Sequence, residues 1–170
     1  LYFMQRNGRF PAPTAFPAEA LLAIGTHDLP PVAMWWRAKD IELRQQLGLW
    51  PSDELRRAAL YERQQARRAL LWRLDQQHLL DDARAPITSE PPLDAIFAYL
   101  AQTPCKLLMV QLADVVGASE QVNVPQTTDE HPNWRRKLPV TVAQALSTRR
   151  MQRLAELLQR HGRSDAGAAP

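Results

Sequence analysis

Leu21-Leu22-Ala23-Ile24-Gly25-Thr26-His27-Asp28, followed by Leu29-Pro30-Pro31, is the stretch on which the fold turns. A brief apolar run that stops at a glycine and a polar cluster fits a short buried strand of a parallel sheet, and the proline pair marks the exit from it. Ala18 to Ile24 (AEALLAI) reads as a helical turn leading into that strand. A second run, Lys106 to Leu112 (KLLMVQL), has strand length and follows a helical segment, Leu93 to Gln102, that Pro104 stops. Strand and helix in alternation are the pattern of βα units around a parallel sheet, an α/β fold.

Outward from these runs the chain is mostly helical. Leu1-Tyr2-Phe3 has the apolar and aromatic character of a strand already under way, and Gln5 to Pro17, with Asn7-Gly8 and three prolines, is a connecting loop. Val32 to Leu47 is expected to form one amphipathic helix closed by Gly48. Ser52 to about Leu80 is the clearest helix, with Ser52 as its cap and Asp53 and Glu54 in the first turn. Its apolar stripe is Leu55, Ala59, Ala66, Leu70 and Leu74; Arg56, Arg57, Arg63, Arg67, Arg68 and Arg73 are expected opposite it, as a solvated face. Asp81 to Pro92 reads as a polar loop, Ala113 to Gly117 as one helical turn, Val122 to Asn133 as irregular, and Val140 to His161 as a terminal helix, after which the chain frays.

Composition narrows the function classes. The 170 residues are 45% hydrophobic, enough for one sizeable core, and 21 Lys and Arg against 18 Asp and Glu leave a net charge of only +3. That excess does not by itself argue for a nucleic-acid partner. One cysteine, Cys105, excludes an internal disulfide and a multi-cysteine zinc site, and reads as a small buried thiol in a reducing compartment. No apolar run reaches the roughly 20 residues that span a bilayer. The expectation is a soluble, cytoplasmic protein with no membrane and no nucleic-acid partner.

Two segments carry chemistry. Asp28 stands at the carboxyl end of the first strand, where barrels and open α/β sheets gather their functional groups. A fixed carboxylate there, with His27 as a neighbouring hydrogen-bond donor, suits stabilisation of a cationic transition state in glycosyl transfer. The same two residues would also serve to cap the helix that follows. The second segment is Val122 to Leu138 (VNVPQTTDEHPNWRRKL), in which Asn123, Trp134 and Arg135 offer an amide, an aromatic face and a fork of donors. Such a mixture holds sugars, although Trp134 would pack equally well beneath a terminal helix whose first turn is Arg135, Arg136 and Lys137. His78, His131 and His161 lack ligand spacing for a metal, and no Gly-x-Ser-x-Gly elbow occurs.

Taken jointly, these segments resemble the amylomaltase family of 4-α-glucanotransferases. Leu1-Tyr2-Phe3 resembles that family's sixth barrel strand, and Gly25-Thr26-His27-Asp28-Leu29-Pro30 its seventh-strand motif. Val122-Asn123-Val124-Pro125 through Asn133-Trp134-Arg135-Arg136-Lys137-Leu138 resembles the stretch after strand eight. Gln126 departs from the glycine more usual there. The resemblance implies the C-terminal part of a (β/α)8 barrel, with about three parallel strands, a large helical insertion at about residues 31–103 and a C-terminal helix, within residues 1–162; 163–170 would be a flexible tail. It further implies a retaining enzyme, free of cofactor and metal, that passes α-1,4-glucan segments between maltodextrins. Asp28 would be the transition-state stabiliser, and His27 and Asn123 would bind substrate. The nucleophile and the acid/base are expected upstream of Leu1, with the remainder of the barrel, so the isolated chain is expected to be inactive. A non-catalytic carbohydrate-binding module using the tryptophans as platforms, or a helical nucleic-acid binder using residues 56–73, are the alternatives.

Overall fold

The computed structural model describes residues 1–2, 4–80 and 90–163 of the chain. After a 3-10 turn at Pro13–Ala15 come β1 (Leu21–Ala23), α1 (Val32–Trp36), α2 (Lys39–Gln46), α3 (Asp53–Gln76), α4 (Leu93–Ala101), β2 (Leu107–Met109), α5 (Leu112–Val115), α6 (Val142–Leu146) and α7 (Arg149–Arg160). Strand β1 pairs parallel with β2, Leu21 opposite Leu107 and Ala23 opposite Met109, so among the described residues four helices stand between two adjacent strands. Because the strands are parallel, their carboxyl ends lie on the same side.

Helix α4 forms the centre. Its nine residues include only one charged side chain, Asp94, and Ile96, Phe97, Tyr99 and Leu100 are all buried against Phe10, Phe16, Trp36, Leu70 and Leu74. Each such large apolar side chain contributes roughly 1.5–3 kcal/mol on leaving water. The Tyr99 hydroxyl keeps a partner in this setting, donating to the Pro11 carbonyl at 2.7 Å.

Several expectations need correction. Leu1 and Tyr2 are not a strand, and Phe3 lies outside the described residues, so among the described residues the sheet has two strands. The chain leaves the extended path because a turn bond from Met4 N to Leu1 O closes over Tyr2 at 3.0 Å, and the Tyr2 ring stacks on Trp35 with 5.0 Å between centres. The strands are not buried on both faces: Leu22 is buried toward the helices, while Leu21, Leu107 and Met109 are 52%, 61% and 53% exposed on the other side. Ala18 to Ala20 bends without forming a helical turn.

The helix expected over residues 32–47 is two. Val32 to Trp36 are buried on every side, and Ala38 then takes a left-handed backbone (φ +57) that turns the polar α2 onto the surface with Ile41 as its one buried residue. Gly48 (φ +67) closes α2 as expected. The terminal helix is also two, because Thr148 caps α7 by accepting from Met151 N, and Thr141 caps α6 in a reciprocal box with Gln144. Val142 and Leu146 are consequently exposed, whereas Ala145, Leu154 and Leu157 are buried.

Helix α3 has its expected cap, Ser52 Oγ accepting from Leu55 N at 3.3 Å. Its arginines do not form a uniformly solvated face. Arg63 grips Asp40 with two 2.7 Å bonds and lies 4.8 Å from the Trp35 ring centre; Arg67 lies over Trp36; Arg73 donates to the Phe10 carbonyl. Planar guanidinium groups stack on aromatic rings in this way, so three of the six cations serve the helix packing. The loop expected at Asp81 to Pro92 falls largely on 81–89, outside the described residues, as do 164–170 of the tail. Arg163 donates to the carbonyls of Ala101, Thr103 and Cys105. No helix of the described residues is long and apolar enough to cross a membrane.

Candidate functional site

Past the end of β1, Gly25 is closely packed: a Cβ there would stand 3.3 Å from the Tyr2 ring and 3.4 Å from Leu29 Cβ, so a larger residue would have to push these neighbours aside. The turn that follows closes from Leu29 N to Thr26 O at 3.1 Å, and the Tyr2 hydroxyl fixes its far side by donating to Pro30 O at 3.0 Å. His27 and Asp28 ride on this turn with side chains 60% and 46% exposed, His27 Nε2 lying 3.4 Å from Asp28 Oδ2.

Asp28 does not cap the helix after it. The first amide of α1, Val32 N, is instead bonded by Asp114 Oδ1 at 2.7 Å, reaching across from α5. Asp114 is a buried carboxyl whose other oxygen has no partner, and burial lifts its pKa to about 6 against the pull of the Val32 bond. With that duty taken, Asp28 turns to the second segment: Asn123 Nδ2 donates to its Oδ1 at 2.5 Å, across 95 residues of sequence.

The Val122 to Leu138 loop is irregular, as expected, but heavily cross-tied. Asn133 accepts from Val124 N at 2.9 Å and donates to Thr127 Oγ1 at 2.8 Å, while Trp134 N donates to Val122 O at 3.0 Å. Gln121, buried just before the loop, spans both segments, its amide donating to the carbonyls of Asp28 (2.8 Å) and Asn123 (2.7 Å). The buried His131 ring lies 3.2 Å from the Gln121 carbonyl. Gln126 has φ +76, in the region that favours glycine, and its side chain accepts from Arg44 at 3.0 Å.

Trp134 is not beneath a helix. It is 61% exposed, and its ring stands 5.0 Å from that of His27. Its backbone is left-handed (φ +63), a state that costs a bulky L-residue on the order of 1–2 kcal/mol. Arg135 is exposed, and Arg136 pairs with Glu120 instead of opening a helix. The structure therefore brings Asp28, His27, Asn123 and Trp134 together on the carboxyl side of the sheet. Gln121 and Asp114 escaped the sequence reading, since a lone glutamine or aspartate in a polar stretch carries no periodic or motif signal. Among the described residues no three His, Cys, Asp or Glu are grouped to hold a metal ion.

Chemically, the cluster presents a carboxylate with one oxygen fixed by an amide and the other open beside an imidazole, next to an exposed aromatic face. Comparison with known proteins adds to this. The family model for 4-alpha-glucanotransferase matches residues 1–142. The chain is 36% identical over 170 aligned positions to a 4-alpha-glucanotransferase of Mycobacterium bovis, covering 94% of this chain and 23% of that protein. It is 34% identical over 148 positions to a 4-alpha-glucanotransferase of Haemophilus influenzae, covering 84% and 21%. Among solved structures, that of amylomaltase from Corynebacterium glutamicum superposes with a TM-score of 0.79 at 27% identity, over 93% of this chain and 24% of that one. The chain thus spans between a fifth and a quarter of the length of these relatives.

Proposed function

Since the chain belongs to the 4-alpha-glucanotransferase family, we propose that it forms the C-terminal part of a retaining glucanotransferase barrel acting on α-1,4-glucans, with residues 31–103 as a helical insertion between two barrel strands. The observation that carries this reading is the 2.5 Å bond between Asn123 and Asp28, which joins the turn just past the carboxyl end of β1 to the loop that follows the parallel β2 and α5. Active sites of such barrels collect on that side. The exposed row of Leu21, Leu107 and Met109 supports it further, being the face that the rest of a barrel would cover.

Retention requires a nucleophilic carboxylate and a general acid/base about 5–5.5 Å apart. We assign both to sequence outside residues 1–170. The first attacks the anomeric carbon as the second protonates the departing glycosidic oxygen; the acid/base then deprotonates the incoming sugar hydroxyl, which displaces the carboxylate. Asp28 acts on the charge that develops between these states. Its Oδ2 accepts hydrogen bonds from ring hydroxyls, and these strengthen as the sugar becomes cationic, so binding is greater in the transition state than in the ground state. His27 donates to a neighbouring hydroxyl. Asn123 fixes Oδ1, so the carboxylate need not reorient during the reaction, and its own amide oxygen is a further acceptor for substrate. Maltodextrin is accordingly both donor and acceptor, no cofactor enters, and a buried single thiol suits a cytoplasmic setting.

The test is expression from the complete reading frame that contains residues 1–170, followed by incubation with maltotriose. Glucose and longer maltodextrins are expected from the whole protein and none from residues 1–170 alone. Transfer by residues 1–170 alone, or no transfer by the whole protein, would overturn the reading.

A further inference from the structure

Trp134 has three properties that do not fit a structural role. A large aromatic side chain is left mostly in water, its backbone occupies a conformation that glycine or asparagine would hold with less strain, and the bond from its amide to Val122 O needs no side chain at all. Its ring nevertheless stands 5.0 Å from that of His27, whose Nε2 lies 3.4 Å from Asp28 Oδ2. Strain of this kind persists where the surrounding structure enforces it, here the Asn133 bonds to Thr127 and Val124 on the preceding residue.

We propose that Trp134 is a substrate-binding platform, on which the apolar face of a glucose ring stacks next to the ring whose hydroxyls meet Asp28 and His27. The CH-bearing face of a pyranose is apolar and its edge is polar, so an indole face and an adjacent carboxylate-imidazole pair recognise the two parts separately. Held at a left-handed residue, the indole stands out from the loop as a rigid wall and loses little freedom when sugar arrives. This inference rests on the glucanotransferase reading and adds a specificity residue to it.

The experiment compares Trp134→Gly and Trp134→Tyr in the complete protein. Glycine removes the platform and relieves the backbone, so the thermal midpoint should hold or rise while the KM for maltoheptaose rises roughly tenfold; tyrosine, which keeps a stacking face, should recover most of that loss. Maltoheptaose affinity by calorimetry on an Asp28→Asn background, where turnover is strongly slowed, should show the same order. If Trp134→Gly lowers the midpoint and kcat together and leaves KM and affinity within twofold, Trp134 is structural and the platform is wrong. Should Asp28→Asn itself retain full transfer, the underlying reading fails instead, which keeps the two failures apart.

Discussion

Two clusters in this molecule are built from an aromatic ring, a nitrogen base and a carboxylate. At the rim, Trp134, His27 and Asp28 follow one another, with 5.0 Å between ring centres and 3.4 Å between imidazole and carboxylate. Between α2 and α3, Trp35, Arg63 and Asp40 repeat the order, with the guanidinium 4.8 Å from the indole centre and 2.7 Å from each carboxylate oxygen. The second cluster is closed. Its charged side chains are only 13% and 12% exposed, and Arg63 spends a further bond on the Trp35 carbonyl at 2.6 Å. A bidentate cation occupies both oxygens of Asp40, whereas Asp28 meets a neutral amide on one oxygen and faces the exposed His27 imidazole, 3.4 Å away, with the other. Residue type alone does not separate a structural carboxylate from one available to a ligand; its remaining hydrogen-bonding capacity does.

The sharpest way to break this contrast is to neutralise each carboxylate. Asp28→Asn in the complete protein should lower the rate of maltotriose transfer by roughly 10²–10³-fold, the usual loss for one transition-state electrostatic partner. Thermal unfolding should barely move, by about 0.5 kcal/mol or less, as for an exposed side chain. Asp40→Ala should do the reverse. Leaving the largely buried Arg63 without its counterion should destabilise the fold by about 3 kcal/mol in urea titrations, and the affinity for maltodextrin should stay as it was.

Asp114 supplies an intermediate case, a buried carboxylate that caps α1 without a cation. Its pKa of about 6 stands above its ordinary value of 3.8, so the folded state holds this proton more tightly than the unfolded one. Its contribution to stability is therefore greatest below about pH 4 and is lost as pH rises through about 6, by roughly 3 kcal/mol in all. The difference in unfolding free energy between the native sequence and Asp114→Asn, followed from pH 4.5 to 7.5, should carry that slope; a flat difference would show that burial does not perturb the group. The smallest effect concerns the rim loop. Gln126→Gly relieves a left-handed residue but loses the bond from Arg44, and should raise stability by only about 0.5 kcal/mol in thermal melts.

Much of the architecture was legible in the residues. Ser52 announced α3 because an N-cap hydroxyl is a local device, and Pro104 and Gly48 ended their helices for reasons of backbone geometry. Both strands were visible as apolar runs. What misled was periodicity extended across a break: an apolar spacing at 32–47 or 140–161 does not register that Ala38 takes a positive φ or that Thr148 starts a new helix. Arg63 and Arg67 were placed outside for the same reason, since a charge pattern does not tell whether a facing helix offers tryptophans.

The chain by itself determined which residues were candidates, because Thr26-His27-Asp28 and the Asn123 to Trp134 loop carry their types and spacing wherever they fold. Only the tertiary structure decided that Asp114 would cap α1, releasing Asp28 to meet Asn123 and leaving Trp134 in the open beside His27. That decision depends on contacts 82 and 95 residues apart in sequence. Hydrogen bonds of such span are set by the parallel register of β1 and β2, which no local pattern contains.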